Sequence, residues 1–205
     1  MATLVALSKQ AEARDEDTGK HNERTQVYCK MLAYESGKVP AFAGIINMQF
    51  VEDMYYASPM HDIGKVTIPD AILLKPGKLT PDEFEVMKTH AEKGAKTLET
   101  VQIQYPDNDF VSLGIDISRF HHEKWNGKGY PQGRAENDIP LSARIMSLAD
   151  VYDALTSVRC YKKAFSHEDS CNIIAEERGV SFDPELVGIF LKSEADFNQV
   201  RRTLR

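Results

Sequence analysis

The spacing of apolar residues is the sequence feature that most constrains the fold of this chain. Apolar side chains recur every three or four residues in four segments, which places them on one face of an α-helix. Strand-like alternation of apolar and polar residues is scarce, so the pattern predicts an all-α fold. The four predicted faces are Leu4, Leu7 and Ala11; Val27, Met31 and Tyr34; Phe84, Met87, Ala91, Ala95 and Leu98; and Leu141, Ile145, Leu148, Tyr152 and Leu155.

Several predicted helices begin at recognisable capping residues. Thr80 is suited to the N-cap, Pro81 to the first helical position, and Glu83 to the third position of a capping box. Each residue satisfies or removes a backbone N–H that has no partner inside the helix. Weaker signals of the same kind are Ser166 with Asp169, and Asp183 with Pro184.

The chain has 205 residues, 42% of them hydrophobic, which suffices for one well-buried core. We see no internal repeat and no Gly/Ser linker, so we predict a single domain over residues 1–205. Residues 1–13 are a candidate remnant of a linker helix from an upstream sensor or receiver domain. Residues 66–79 and 121–140 interrupt the helical pattern with Gly and Pro, and loops of this length are often functional.

Composition excludes several classes of function. The formal net charge of -6 argues against a nucleic-acid polymer as partner, because such binders usually carry a broad basic surface. No apolar run is long enough to span a membrane, and no signal peptide is recognisable, so we expect a cytoplasmic protein. Cys29, Cys160 and Cys171 form no C-x-x-C pair, which predicts reduced, structural thiols.

The histidines are the strongest functional signal in the residues themselves. Any one of them alone would more often be a satisfied core residue than a ligand. Five of the six, including the doublets His61-Asp62 and His121-His122, lie beside motif-like neighbours, and this joint pattern predicts imidazoles that converge on metal. The five are His21, His61, His90, His121 and His122. The sixth, His167, is expected to be a solvated residue at a helix start.

Two aspartates fit the same interpretation. A carboxylate has two oxygens and can bridge two cations, which gives a physical reason for placing Asp62 next to His61. Asp150 lies in an apolar stretch, where an unpaired carboxylate would be costly; its expected partner is a metal or a ligand histidine, with a surface ion pair as the alternative. Imidazole and carboxylate ligands suit iron, manganese, zinc or nickel, and the lack of cysteine ligands argues against a structural zinc site.

Three motifs resemble those of one family. "HDIGK" at residues 61–65, "HHEKWNGKGYP" at residues 121–131 and "ADVYDALTSVRCYK" at residues 149–162 are similar to the HD-GYP domain. That domain is a branch of the HD metal-dependent phosphohydrolases and acts on the bacterial second messenger cyclic di-GMP. The resemblance extends from Arg14 to Phe190 and implies a compact helical HD-type domain with a long functional GYP loop.

The resemblance also implies a set of metal ligands. One ion would be surrounded by His21, His61, Asp62 and Asp150, and a second by Asp62, His90, His121 and His122, with Asp62 as the bridge. The implied cofactors are two transition-metal ions, iron before manganese. Asp17 stands where many members carry a glutamate associated with a third metal. Aspartate is shorter by one methylene, about 1.5 Å of reach, so Asp17 is a further candidate ligand but a third ion is not expected.

Catalytic and substrate-binding roles follow from the same resemblance. Asp62 and Lys65 would be the catalytic residues, with Lys65 meeting a substrate phosphate. The implied substrate-binding residues are Lys65, Tyr130, Asp153, Arg159 and Lys162. Asp15 and Asp153 match recurrent carboxylates of the family, and the sequence leaves open whether either is a general acid or orients Lys65 or a ligand.

The function implied is a cyclic di-GMP phosphodiesterase. A metal-bridging hydroxide would open the ring to pGpG, and a second cycle could yield GMP. Three alternatives stay open: a catalytically weak cyclic di-GMP-binding module, an HD hydrolase of another cyclic dinucleotide, and a di-iron oxygenase, although the cationic residues speak against the last. A homodimer and an upstream sensor domain or GGDEF-type signalling partner are also candidates.

Overall fold

The structure is a computed structural model that describes Ser8, residues 20–158 and residues 164–204. These ranges contain no strand, which confirms the predicted all-α class. In the part of the chain that the structure describes, the α-helices are interrupted by three 3-10 segments, Pro40–Phe42, Ser58–Thr67 and Glu136–Asp138. Within residues 20–158 and 164–204, the α-helices are α1 (His21–Ser36), α2 (Met48–Ala57), α3 (Asp70–Leu73), α4 (Pro81–Gln104), α5 (Asp109–Phe120), α6 (Leu141–Thr156), α7 (His167–Glu176), α8 (Pro184–Lys192) and α9 (Glu194–Thr203).

Helix α1 packs between α2 and α6, while α4 packs against α5 and the 3-10 segment Ser58–Thr67. Helices α7, α8 and α9 complete the core through a cluster of aromatic rings. Tyr28 of α1 stacks on Phe197 of α9 at 4.9 Å between ring centroids, and Tyr152 of α6 meets both rings edge-on. All three side chains are fully buried, so this cluster joins the C-terminal helices to the helices that carry the motifs.

The predicted apolar face of α1 was wrong. Tyr34 is 47% exposed, whereas Tyr28 and Cys29 are fully buried on a different face. The physical reason is that α1 also buries polar residues, among them His21 and Arg24. When a helix carries functional polar side chains into the interior, polarity no longer marks its solvent side, and the apolar period alone cannot locate the buried face.

The capping predictions were confirmed. Thr80 Oγ1 accepts a hydrogen bond from the Glu83 N–H at 3.3 Å, and Glu83 Oε2 accepts one from the Thr80 N–H at 2.7 Å, which completes the capping box of α4. Ser166 and Asp183 cap α7 and α8 in the predicted way. Phe84, predicted on the buried face of α4, is 46% exposed and instead approaches Tyr130 of the long loop.

Two glycines bring the 3-10 segment unusually close to α4. A Cβ added at Gly64 would overlap the carbonyl oxygen of His90 and lie 2.6 Å from the backbone nitrogen of Gly94. Only glycine allows two backbones to approach this closely. The contact holds His61 and Asp62 of the 3-10 segment opposite His90 of α4. None of the helices in the described ranges has both the length and the apolar content that crossing a bilayer requires.

Candidate metal centre

Asp62 and Lys65 lie on one side of a 3-10 helix. A 3-10 helix has three residues per turn, so side chains three positions apart are eclipsed. Lys65 Nζ lies 2.8 Å from Asp62 Oδ2 as a result. The neighbouring His61 points into the same space, with its Nε2 3.1 Å from Asp62 Oδ2. The adjacent residues His61 and Asp62 therefore direct an imidazole and a carboxylate into the same space.

The first ligand cluster joins α1, the 3-10 segment and α6. His21 Nε2 lies 3.3 Å from His61 Nε2 and 3.6 Å from Asp150 Oδ1. One ligand atom from each of His21, His61 and Asp62 lies within 4.8 Å of the others. The structure thus brings together three of the four residues that the resemblance implied for one ion, and the fourth, Asp150, approaches the cluster at His21.

The second ligand cluster joins the 3-10 segment, α4 and the end of α5. Asp62, His90, His121 and His122 each place a ligand atom within 4.8 Å of the others. His90 Nε2 lies 3.4 Å and His121 Nε2 4.0 Å from Asp62 Oδ1. Because Asp62 Oδ2 faces His61 while Oδ1 faces His90 and His121, the two carboxylate oxygens face different clusters.

Backbone carbonyls orient three of the imidazoles. The Nδ1–H groups donate from His61 to the Ser58 carbonyl at 2.8 Å, from His90 to Met87 at 2.8 Å, and from His121 to Ile117 at 2.9 Å. A carbonyl can only accept, so Nδ1 of each ring carries a proton, and in the neutral rings of His90 and His121 Nε2 presents its lone pair to the centre. The Nε2 atoms of His90 and His121 are buried without a hydrogen-bond partner. Oriented rings with such orphaned nitrogens fit metal ligands.

The charges at the site agree with this assignment. Burial lowers the pKa of His90, His121 and His122, and the neighbouring imidazoles add to the effect at His121 and His122, so the rings are held in the neutral form that ligates metal. His61 differs: burial alone would lower its pKa, but the Asp62 carboxylate raises it to about 9. Against the opposing effect of burial, Lys65 and His61 hold the pKa of Asp62 well below its usual range.

For Asp153, the structure favours the ligand-orienting role that the sequence left open over a substrate contact. This side chain is 1% exposed and lies behind His21. It accepts hydrogen bonds from His21 Nδ1 at 2.8 Å and from Arg24 Nε at 2.6 Å and Nη2 at 2.9 Å. With both oxygens occupied by protein donors, Asp153 orients a ligand imidazole instead of facing a substrate.

Tyr130 of the long loop lies directly over the second cluster. Its ring stacks on His122 with 4.6 Å between centroids. Burial raises its pKa, so the hydroxyl is neutral. The loop is held by the buried Glu123, whose Oε1 accepts from the Gln132 N–H at 2.7 Å. Gly129 permits the fold, since a Cβ there would overlap the backbone of Glu123. The structure thus places Tyr130 at the edge of the centre.

The remaining sequence predictions have different outcomes. His167 is not a solvated helix start: its side chain is only 16% exposed and its Nδ1 lies 2.9 Å from the Tyr152 hydroxyl. Cys29 and Cys171 are buried free thiols, as predicted. The remaining expected residues, Asp15, Asp17, Arg159, Cys160 and Lys162, lie outside the described residues.

Sequence reasoning missed Arg24 and Glu123. Arg24 lies one turn after His21 on α1, and its guanidinium binds Asp153 in a bidentate manner. Glu123 follows His122 within a motif that was already recognised, so its position was a usable signal. Arg24 offered no comparable signal, because a lone arginine on a helix is usually a surface charge.

The family profile described as HD domain matches residues 6–186. The chain therefore belongs to the HD domain family, in agreement with the resemblance of its motifs. His and Asp side chains gathered from separate helices form clusters suited to divalent metal ions in this chain.

The chain is also similar to curated proteins. It is 47% identical over 194 residues to a cyclic di-GMP phosphodiesterase of Vibrio cholerae, covering 95% of this chain and 39% of that protein. It is 39% identical over 199 residues to a cyclic di-GMP phosphodiesterase of Thermotoga maritima, covering 97% of this chain and 50% of the relative. A 3'3'-cGAMP-specific phosphodiesterase 2 of V. cholerae is 37% identical, with 97% and 35% covered. The chain thus spans half or less of the length of these relatives.

Two solved structures share the fold. One is Bd1817, described as an HDG"Y"P protein from Bdellovibrio bacteriovorus, with a TM-score of 0.60, 21% identity, and 90% of this chain and 54% of the other covered. The other is a cyclic GMP-AMP-specific phosphodiesterase of V. cholerae, V-cGAP3, with a TM-score of 0.61, 20% identity, and 98% and 53% covered. At these identities the likeness supports the helical architecture alone.

Proposed function

We propose that this chain is a metal-dependent phosphodiesterase that hydrolyses cyclic di-GMP. The observation that carries the proposal is the position of Asp62, whose two oxygens face two separate groups of imidazoles. Neither a role as surface histidines nor a role in structural ion pairs would explain two groups of imidazoles around one carboxylate. The names of the V. cholerae and T. maritima relatives support cyclic di-GMP as the substrate.

Two divalent ions would be held by the residues already described. His21, His61 and Asp150 would ligate one, His90, His121 and His122 the other, and Asp62 would bridge them. Bound cations would supply a water molecule of lowered pKa and positive charge opposite the phosphate oxygens. Iron is our first proposal for the metal and manganese the second, because imidazole and carboxylate ligands accommodate both. We do not propose a third ion.

The chain's own residues would bind and orient the substrate. The Lys65 ammonium, held at the centre by Asp62, would offset charge on a non-bridging phosphate oxygen. The Tyr130 ring offers a stacking face to a guanine base, and Lys88 Nζ lies 5.6 Å from the centre of that ring. We propose that Arg159 and Lys162, which follow α6 in the sequence, contact the phosphates or guanine.

The proposed reaction is the hydrolysis of a phosphodiester bond. The oxygen of water bonds to phosphorus, the bond from phosphorus to the 3′-oxygen breaks, and that oxygen takes up a proton. One cycle converts the ring to linear pGpG, and a second cycle on pGpG would give two molecules of GMP.

The test is a product analysis on metal-loaded protein. The chain is freed of metal, loaded anaerobically with Fe(II) or Mn(II), and incubated with cyclic di-GMP, and the nucleotides are separated by chromatography. We expect pGpG to form with the wild type and not with Asp62→Asn. A loaded wild type that binds cyclic di-GMP and leaves it intact after overnight incubation would show a binding module instead.

A second candidate substrate is 3'3'-cGAMP, because a relative at 37% identity is named for it. Both cyclic dinucleotides carry the same phosphodiester ring and at least one guanine. A comparison of kcat/KM for the two under identical metal loading decides between them. A larger value for 3'3'-cGAMP would replace cyclic di-GMP as the proposed substrate.

The signalling context stays a prediction. The chain spans half or less of the relatives named above, so an upstream sensor domain, a homodimer and a GGDEF-type partner are proposals. The cytoplasmic location and the single-domain assignment of residues 1–205 likewise stay predictions from the sequence.

A further inference from the structure

A third group of metal-ligating side chains lies apart from the centre described above. His167 and Cys171 are four residues apart on α7 and so share one face of the helix. Glu194, the first residue of α9, approaches the same face. One ligand atom from each of these three residues lies within 4.8 Å of the others. The proposed phosphodiesterase activity makes no use of this cluster.

Two of the distances between the ligand atoms are close to those of a tetrahedral site. Cys171 Sγ lies 3.7 Å from His167 Nε2, and Glu194 Oε2 lies 3.6 Å from the same nitrogen. Zinc bonds sulfur at about 2.3 Å and nitrogen or oxygen at about 2.0 Å, so tetrahedral angles place such ligand pairs roughly 3.3 to 3.6 Å apart. Cys171 Sγ also lies 3.7 Å from His167 Nδ1, so the Cys171 or the His167 side chain would have to rotate to bring Sγ to the lone pair of Nε2.

Tyr152 supplies a hydrogen-bonding partner for one ring nitrogen of His167. Its hydroxyl lies 2.9 Å from His167 Nδ1, and its side chain is fully buried in α6. A ligating histidine usually has its second ring nitrogen bound to a hydrogen-bonding partner. With Nδ1 within hydrogen-bond reach of Tyr152, Nε2 is the nitrogen left to ligate an ion beside Glu194.

The cluster is closed at one end and open at the other. Cys171 is 5% exposed, whereas the side chain of Glu194 is 47% exposed. An ion can therefore enter past the carboxylate and keep a water molecule as its fourth ligand. Burial raises the pKa of the Cys171 thiol to about 12, and Glu194 adds to the effect. The free side chain is thus a neutral thiol that would release its proton to solvent when a metal binds.

We infer that His167, Cys171 and Glu194 form a separate binding site for one zinc-type divalent ion, with sulfur, nitrogen and oxygen ligands. Its sulfur ligand distinguishes it from the His and Asp centre and favours zinc or cobalt over magnesium or manganese. The bound ion would tie α7 and α9 to each other and, through His167 and Tyr152, to α6, the helix that carries Asp150 and Asp153.

Cobalt(II) titration of metal-free protein tests this inference. A thiolate bound to cobalt gives a near-ultraviolet charge-transfer band, which a centre built from His and Asp alone cannot produce. We expect the wild type to develop this band and to bind one more equivalent of cobalt than Cys171→Ser, which should lack the band. Added zinc should abolish the band by displacement.

Two further variants test the carboxylate ligand and control for a different thiol. Glu194→Gln changes an exposed side chain and should fold normally, yet it should weaken the cobalt affinity at this site by about tenfold or more. Cys29→Ala removes a different buried thiol and should keep the band. A wild type without the band, a band that survives in Cys171→Ser, or a band lost in Cys29→Ala would overturn the inference. None of these readouts depends on hydrolysis of a nucleotide.

Discussion

Asp153 accepts a hydrogen bond from Nδ1 of His21 at 2.8 Å, and the other ring nitrogen of His21 faces His61 and Asp150. The guanidinium of Arg24 binds both oxygens of the same carboxylate. A buried line of contacts therefore runs from Arg24 through Asp153 to a proposed metal ligand. It fixes the tautomer of His21 and the direction of its Nε2, which is the usual function of a carboxylate behind a ligating histidine.

The first prediction concerns this buried line of contacts. Asp153→Asn should lower the affinity for the ion next to His21 by about 10- to 100-fold, because an amide orients the ring less strongly and does not raise its basicity. Metal competition with a chelator, followed by elemental analysis, measures the effect. Glu52→Gln, which alters a half-exposed ion pair with Lys30, is the matched carboxylate-to-amide control and should bind metal normally. Equal affinities in Asp153→Asn and the wild type would remove the positioning role.

The helical class and the capped starts of α4, α7 and α8 could be predicted because they depend on local spacing and on side chains that bond to nearby backbone. The buried face of α1 could not, since His21 and Arg24 enter the interior for reasons that only the tertiary contacts reveal. Asp153 was recognised as a motif residue, and the sequence left open whether it meets the substrate, acts as an acid or orients a ligand. Its spacing from Asp150 places both on α6, yet only the packing of α1 against α6 shows that Asp153 lies behind His21.

The second prediction concerns the bridge. Asp62→Asn should lose both proposed ions together, because an amide presents one oxygen and no negative charge to two cations. His122→Ala, which removes a ligand from the second cluster alone, should retain the ion beside His21. Metal per chain after gel filtration distinguishes the two variants. If Asp62→Asn retained as much metal as the wild type, Asp62 could not be the shared ligand.

The third prediction separates substrate contact from metal binding. Lys65→Ala should keep both ions, since its ammonium is not a ligand, and should lower kcat by about 100-fold or more through loss of charge stabilisation at the phosphate. Lys30→Ala removes a half-exposed lysine from the Glu52 pair and should leave kcat unchanged. Single-turnover rates on fully loaded proteins give the comparison. Normal turnover in Lys65→Ala would exclude the proposed phosphate contact.

The fourth prediction tests the close approach of the 3-10 segment to α4. Gly64→Ala should lower the free energy of unfolding by about 3 kcal/mol, because the new methyl group would overlap the His90 carbonyl and force the backbones apart. Gly188→Ala on α8 is the matched control. The added Cβ meets only Arg178 at 3.8 Å, so this variant should be about 0.5 to 1 kcal/mol more stable than the wild type. Urea unfolding of the metal-free proteins measures both, and similar changes in the two would contradict the packing argument.

The last prediction follows from the pKa of Asp153. Arg24 and His21 hold that pKa below its usual range despite burial, so the ionised carboxylate stabilises the folded state above the unfolded pKa of about 3.9, and this contribution is lost as the pH falls further. In metal-free protein, Asp153→Asn should cost about 3 kcal/mol near pH 7, where it leaves Arg24 without its anionic partner, and this cost should decrease as the pH falls below about 3.9. Asp53 provides the comparison, because its pKa is shifted in the opposite direction: burial raises it. Its charged form opposes folding, so Asp53→Asn should become relatively more favourable as the pH rises. Urea unfolding across this range gives the free energies, and a cost for Asp153→Asn that does not change with pH would show that the charge of Asp153 does not stabilise the fold.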